Sequence, residues 1–185
     1  MNYEKHMTLN YQNNECVNMY TLIRELHIAF NQIYTDSCAV KSSSVYSDRM
    51  LIINFCIHGR CEATLSGNKY AIVKENEICI STILPTKDFY YPGSIYEGIQ
   101  LYLDLSDSNL SDHNRFLSFL GIDLNRLSDM FCKNTGLYIH QMSDDLSFLV
   151  KNIWETKETE AENIITSDLS KKYTVPCLTA LYNLL

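Results

Sequence analysis

The 185-residue chain is 46% hydrophobic and 20% charged, with 13 Tyr, 6 Gly and 3 Pro; this is the profile of one globular domain, or one plus a helical appendix, and it excludes disordered, collagen-like and linker sequence. A formal net charge of −7, with Lys and Arg scattered and no run longer than Lys171-Lys172, argues against a segment that grips nucleic acid by itself, which needs a basic face. The seven Cys are odd in number and lack CxxC spacing, the first 18 residues lack an apolar leader, and no stretch approaches a membrane span; together these point to free thiols in the cytoplasm, with no membrane partner.

Along the chain, Met19 to Tyr34 is ambiguous. Leu22, Ile23, Leu26, Phe30 and Ile33 fit a helix, whereas Leu26, Ile28 and Phe30 fit a strand, the reading preferred after Glu25. Met50 to Ile57 is the strongest strand, with Leu51, Ile53, Phe55 and Ile57 on one face and Ile52, Asn54, Cys56 and His58 on the other. Gly59 reads as its end. Cys61–Leu65 and Lys69–Val73 flank Gly67-Asn68, a tight hairpin signal. Lys74 to Glu77 reads as a second turn with Asn76 in the left-handed region, followed by a strand from Ile78 to Thr82. Pro85 to Gly93 reads as an irregular loop. Tyr96 to Leu105 closes the set, with Ile99, Leu101, Leu103 and Leu105 opposite Gln100, Tyr102 and Asp104.

The remainder reads as helices. Ser111 caps a stripe of Phe116, Leu117 and Leu120 that ends at Gly121. Leu124, Leu127 and Phe131 make a second stripe. Ser143-Asp144-Asp145 starts a third, which continues through Leu146, Leu149, Val150, Ile153 and Trp154. The acidic run from Glu155 to Glu162 reads as a solvated helix end. Leu178, Leu181, Tyr182 and Leu185 form a last stripe after Pro176, which breaks off without a polar stop, as a helix cut short would. The expected class is α+β, mainly β: an antiparallel barrel or sandwich over residues 1–110 and a helical segment over 111–185.

Signatures of chemistry are few. The sequence has no GxSxG, P-loop, GxGxxG or HExxH motif. Its five His are dispersed, with no two at i, i+2 or i, i+4 spacing, so neither a metal nor another cofactor is expected. Cys56 and His58 share a strand face, but nothing local would lower the thiol's pKa. The mixed face is the candidate ligand surface: Asn54, Cys56, His58 and Glu62, with Tyr90, Tyr96, Gln100 and Tyr102 across from them. Such residues either line a pocket with aromatic walls and a few polar groups or form an ordinary solvent face, and one slip of strand phase reverses the answer. Leu146, Leu149, Val150, Ile153, Trp154, Leu178, Leu181 and Leu185 are either core or a dimer seam.

Taken in order, the run Met50 to Glu62 (MLIINFCIHGRCE), the hairpin Gly67-Asn68-Lys69-Tyr70, the turn before Ile78-Cys79-Ile80, and Tyr96-Glu97-Gly98-Ile99-Gln100-Leu101 with Asp104 at its end resemble the N-terminal domain of AraC/XylS-type transcription regulators. Leu137 to Met142 continues the likeness, which spans most of the chain. Two departures stand out: Asn76-Glu77 replaces the usual Gly-Asp, and the paired histidines of metal-binding cupins are missing. The resemblance implies a cupin-like β-barrel that binds a small-molecule effector, followed by helices that form a homodimer. It also implies a further domain of about 100 residues, absent here, whose two helix-turn-helix units contact DNA. No effector-contacting residue carries over, because the family's pocket has no fixed motif. The expected role is sensing rather than catalysis. The alternatives are a cupin-like isomerase or dioxygenase and an effector-free interaction module.

Overall fold

Strand β5 (Met50–Leu65) organises the molecule. Its 16 residues would span about 50 Å at roughly 3.3 Å each, too long for one flat sheet. In the computed structural model, which describes residues 7–11, 15–23, 26–38, 49–105, 117, 121–158 and 166–184, a β-bulge between Cys56 and His58 bends it. Its first half lies in one sheet and its second half in another. Gly59 therefore does not end the strand, as the sequence suggests. It sits just past the bulge at φ +84°, where a Cβ would collide with the carbonyl oxygen of Ile95.

The larger sheet runs β1 (Met7–Tyr11), β2 (Glu15–Ile23), β3 (Leu26–Ile33), β9 (Tyr96–Asp104), β5, β7 (Glu77–Ser81) and β10 (Leu137–Gln141), every neighbour antiparallel. The smaller one joins β4 (Ser37–Cys38), β8 (Pro85–Tyr90), the far half of β5 and β6 (Lys69–Lys74). The architecture is thus mainly antiparallel β with helices following. The described strands form an open sandwich and not a closed barrel.

One face of the larger sheet carries Leu26, Ile28, Phe30, Leu51, Ile53, Phe55, Ile78, Ile80, Ile99, Leu101 and Leu103. All are buried beneath helices α1 (Leu124–Cys132), α2 (Asp144–Glu158) and α3 (Thr166–Tyr182). The helix start read at Ser143 is present, Ser111 lies outside the described residues, and α1 has a cap at Asp123 that was not read from sequence. The Asp123 carboxylate accepts the Arg126 amide at 3.0 Å, and the Ser143 hydroxyl accepts the Leu146 amide at 3.3 Å.

Four expectations change. The ambiguous Met19–Tyr34 stretch is two strands, β2 and β3, in register from Glu15↔Ile33 onward. Most of the loop expected from Pro85 is strand β8, held by pairing to β4 and β5 that no local signal encodes. The segment after residue 111 is not helical throughout, because β10 pairs with β7. Pro176 lies inside α3 rather than before it. Tyr173 and Cys177, buried on either side, anchor the helix to the sheet, and Tyr173 sits 5.1 Å from the Phe30 ring. That burial offsets the lost N–H. The helix expected from Ser111 lies largely outside the described residues, with Leu117 of its stripe buried in the core.

Candidate functional site

The face of the larger sheet that looks away from the helices meets the smaller sheet. Strand registers lay its residues in rows. Ala29, Gln100, Asn54 and Cys79 form one row across β3, β9, β5 and β7. Asn31, Gly98 and Cys56 form the next, and His27, Tyr102, Ile52 and Ser81 the one beyond. Cys56, Cys79, Ile33 and Tyr96 pack there against Cys61, Val73 and Tyr91 of the smaller sheet and its loops. Phe89, Tyr91 and Tyr96 make an aromatic wall, with centroids 6.3 and 5.3 Å apart.

Within this interior the polar groups are neutral and ordered. The Tyr96 ring lies over Gly98, where an added Cβ would come within 2.8 Å of the phenolic oxygen and 2.7 Å of the Phe55 carbonyl. Its hydroxyl donates to Asn54 Oδ1 at 2.7 Å, fully buried. Six residues along β9, the Tyr102 hydroxyl donates to Gln100 Oε1 at 2.6 Å. Each tyrosine thus occupies a carboxamide oxygen. Among the described residues nothing accepts from the amide nitrogens of Asn54 and Gln100, and no side-chain partner meets Asn31, which is also buried. Asn31 and Asn54 are buried and Gln100 is half-buried, and amide donors with unused capacity on such a face are groups a ligand or water can satisfy.

The titratable groups here stay uncharged. Burial, aided by Glu75 and Glu77, pushes the Cys56 thiol up to about 12. Burial pushes Cys79 to about 12 and Cys61 up as well. Burial also raises Tyr96 well above its usual value, while Asn54 opposes. His27 is lowered by burial against the pull of Asp104, and its Nδ1 lies 3.0 Å from the Thr21 hydroxyl. A thiol held this far above neutrality is a weak nucleophile. The Cys56 thiol instead donates to the carbonyls of His58 and Gly59 at 3.8 and 3.6 Å, tying down the bulge.

Of the eight candidate ligand residues, Asn54, Cys56, Tyr96, Gln100 and Tyr102 share this inner face. The bulge in β5 turns His58 and Glu62 out, and Tyr90 on β8 is exposed as well. Past the bulge the strand's phase reverses, so Cys61, Ala63 and Leu65 point inward and Glu62 points away. Glu62 bonds the Tyr70 hydroxyl and the Arg60 guanidinium, and its registered partner is Tyr90, which is 53% exposed. Tyr91, not Tyr90, is the inner aromatic. His58 is exposed and pairs with Glu75 at 2.9 Å. Sequence reasoning missed Asn31 and His27, although their alternation with Leu26, Ile28 and Phe30 was the available signal. No cluster of His, Cys, Asp or Glu among the described residues could hold a metal ion.

Of the eight candidate seam residues, Leu146, Val150, Ile153, Trp154 and Leu181 are buried within this chain against the sheet. Leu149 and Leu178 are half-buried, and Leu185 lies outside the described residues. No helix among the described residues is long and apolar enough to cross a membrane.

No sequence profile of a known family matches the chain, and no curated protein matches it in sequence. Solved structures do match in shape. The AraC-like transcriptional activator CuxR is 11% identical at a TM-score of 0.48, over 91% of this chain and 55% of that one. An oxalate decarboxylase from Bacillus subtilis is 12% identical at 0.39, over 77% and 43%. A conserved protein of unknown function from Streptococcus pyogenes is 12% identical at 0.39, over 56% and 96%. The chain spans about half the length of the first two. At these identities and scores the likeness bears on neither family nor function.

Proposed function

We propose that the inner face binds an uncharged small molecule rich in hydrogen-bond acceptors, and that the chain is a cytoplasmic, non-enzymatic sensing and dimerisation module of an AraC-type transcription regulator. The observation that carries the ligand reading is the pair of tyrosine-anchored carboxamides. Tyr96 and Tyr102 fix Asn54 and Gln100 by their oxygens, and the amide N–H donors remain for an occupant. The three inner rows hold no Lys, Arg, Asp or Glu, and burial keeps His27 neutral. An anionic ligand would therefore be desolvated without a counter-charge, at a cost an uncharged one avoids. The raised thiols favour binding over catalysis.

The regulator part of the reading rests on the ordered likeness between Met50 and Asp104. DNA contact belongs to a helix-turn-helix domain outside this chain. Dimerisation falls to apolar side chains that the sheet leaves uncovered: Phe148, Val175 and Tyr182, which are 69%, 67% and 62% exposed, with Leu178 between the last two.

Calorimetric titration against matched pairs of uncharged compounds and their carboxylate analogues tests the ligand claim. An uncharged member binds with one-to-one stoichiometry, and Asn54→Ala and Gln100→Ala each weaken it at least about tenfold, the loss of one hydrogen bond to a buried site. A tight binder indifferent to both substitutions overturns the claim. Stoichiometric iron, manganese or zinc in the purified protein would favour an enzyme instead.

A further inference from the structure

The two faces of the larger sheet are separated by its own thickness, yet one residue at its margin touches the machinery of both. Asn76, in the turn between β6 and β7, adopts φ +63°. Its backbone N–H donates to the Cys56 carbonyl at 2.9 Å, at the bulge of β5. Its own carbonyl accepts the Met142 amide at 2.9 Å, on the approach to α2. Its side-chain Oδ1 accepts the hydroxyl of Ser147 at 2.5 Å, a serine buried in the first turns of α2.

The same turn is braced twice more: the Glu77 carboxylate accepts the Lys74 amide at 2.7 Å, and Glu75 pairs with His58 just past the bulge. Cys56 itself lies two residues from Asn54, whose carboxamide Tyr96 holds. A continuous path therefore runs from the inner polar row through the bulge to Asn76 and on to α2. Leu146, Val150, Ile153 and Trp154 of that helix cover the opposite face of the sheet.

We infer that Asn76 is the joint through which a change at the Tyr96–Asn54 pair is passed to the N-terminal half of α2. The inference rests on the sensing reading above, because a joint of this kind has a regulatory use only if something changes on the inner face. Its physical basis is separate: coupling needs a contiguous element that both sites bias, and hydrogen-bonded neighbours are where non-additivity resides. A buried serine hydroxyl in a helix ordinarily bonds back to its own helix. Ser147 bonds instead to a turn of the sandwich, so α2 and the turn cannot move independently without breaking that bond.

The test uses no ligand. Amide hydrogen exchange is measured on peptides covering residues 142–150, and on β5 and β9, in four proteins: wild type, Tyr96→Phe, Asn76→Gly and Tyr96→Phe/Asn76→Gly. Glycine keeps the positive φ and both backbone bonds and removes only the carboxamide. Ser147→Ala, cutting the same bond from the other side, replaces Asn76→Gly in a parallel set. Tyr96→Phe is expected to speed exchange over 142–150 by about threefold or more in the wild-type background. In either cut background that effect disappears, while its effect on β5 and β9 persists. Two results overturn the inference: an equal response of 142–150 in wild-type and cut backgrounds, or no response there in wild type although β5 and β9 respond. Neither touches the ligand reading, which stands or falls on the calorimetric titration.

Discussion

Replacing Tyr96 by Phe removes one oxygen from the centre of the sandwich and nothing else. The ring keeps its place over Gly98 and against Tyr91. What is lost is the 2.7 Å bond to Asn54 Oδ1, at a residue only 7% exposed. A buried carbonyl deprived of its donor carries its own desolvation cost, so the expected loss is ~1–3 kcal/mol rather than the smaller net value of an exposed bond. At roughly 2–4 °C per kcal/mol for a chain of this size, a central ~2 kcal/mol lowers Tm by about 4–8 °C. Calorimetric or circular-dichroism melts measure it directly. The double variant Tyr96→Phe/Asn54→Leu removes both polar partners. It should melt well above the sum of the two single losses, with a coupling of ~1 kcal/mol or more. A Tyr96→Phe protein within ~0.5 kcal/mol of wild type, together with additive losses in the double variant, would show that the pair is not a buried, mutually dependent unit.

Three further outcomes follow from the same interior. Gly98→Ala drives a Cβ into the Phe55 carbonyl and the Tyr96 ring, and urea titration should show a loss of ~1–3 kcal/mol; a neutral result would mean that β5 and β9 can separate there. His27 is lowered from 6.5 by burial, so the folded chain binds fewer protons than the unfolded one. Its contribution is present above about pH 6.5 and is lost as pH falls through the lowered folded value, so His27→Gln should flatten the decline of Tm on acidification, and an unchanged slope would refute this. Cys56, Cys61, Cys79 and Cys177 are buried with raised thiols. Mass spectrometry after iodoacetamide at pH 8 should find them unmodified in the native protein and labelled once it is unfolded; rapid native labelling of Cys56 would contradict its placement.

Much of the architecture was legible because its signals are local. The alternation Leu51, Ile53, Phe55 marks β5, Ser143 marks a helix start, and Asn76 was readable as left-handed from its turn. The inner face was legible on β9 at Tyr96, Gln100 and Tyr102, but on β5 only up to Cys56. A glycine after a strand reads as an end, whereas Gly59 follows a bulge inside a longer strand, and the reversed phase moved Glu62 to the outer surface. Tyr90 and Tyr91 are adjacent, so their roles depend on which one β8 turns inward, a fact fixed by its pairing with β5. Likewise, the stripe from Leu146 to Trp154 is apolar whether its cover is a partner or a sheet. Only the long-range assembly of β3, β9 and β5 supplies the apolar face that takes it.

The measurement that tests the central claim most directly is an amide chemical-shift titration of the labelled protein with the tightest uncharged compound from the calorimetric panel. Saturable shifts are expected at Asn31, Asn54, Gly98 and Gln100, on neighbouring strands of the inner face, followed by shifts at Ser147 in α2. Saturable shifts confined to the outer surface around Tyr70 and Tyr90, with the inner rows unmoved, would contradict the claim.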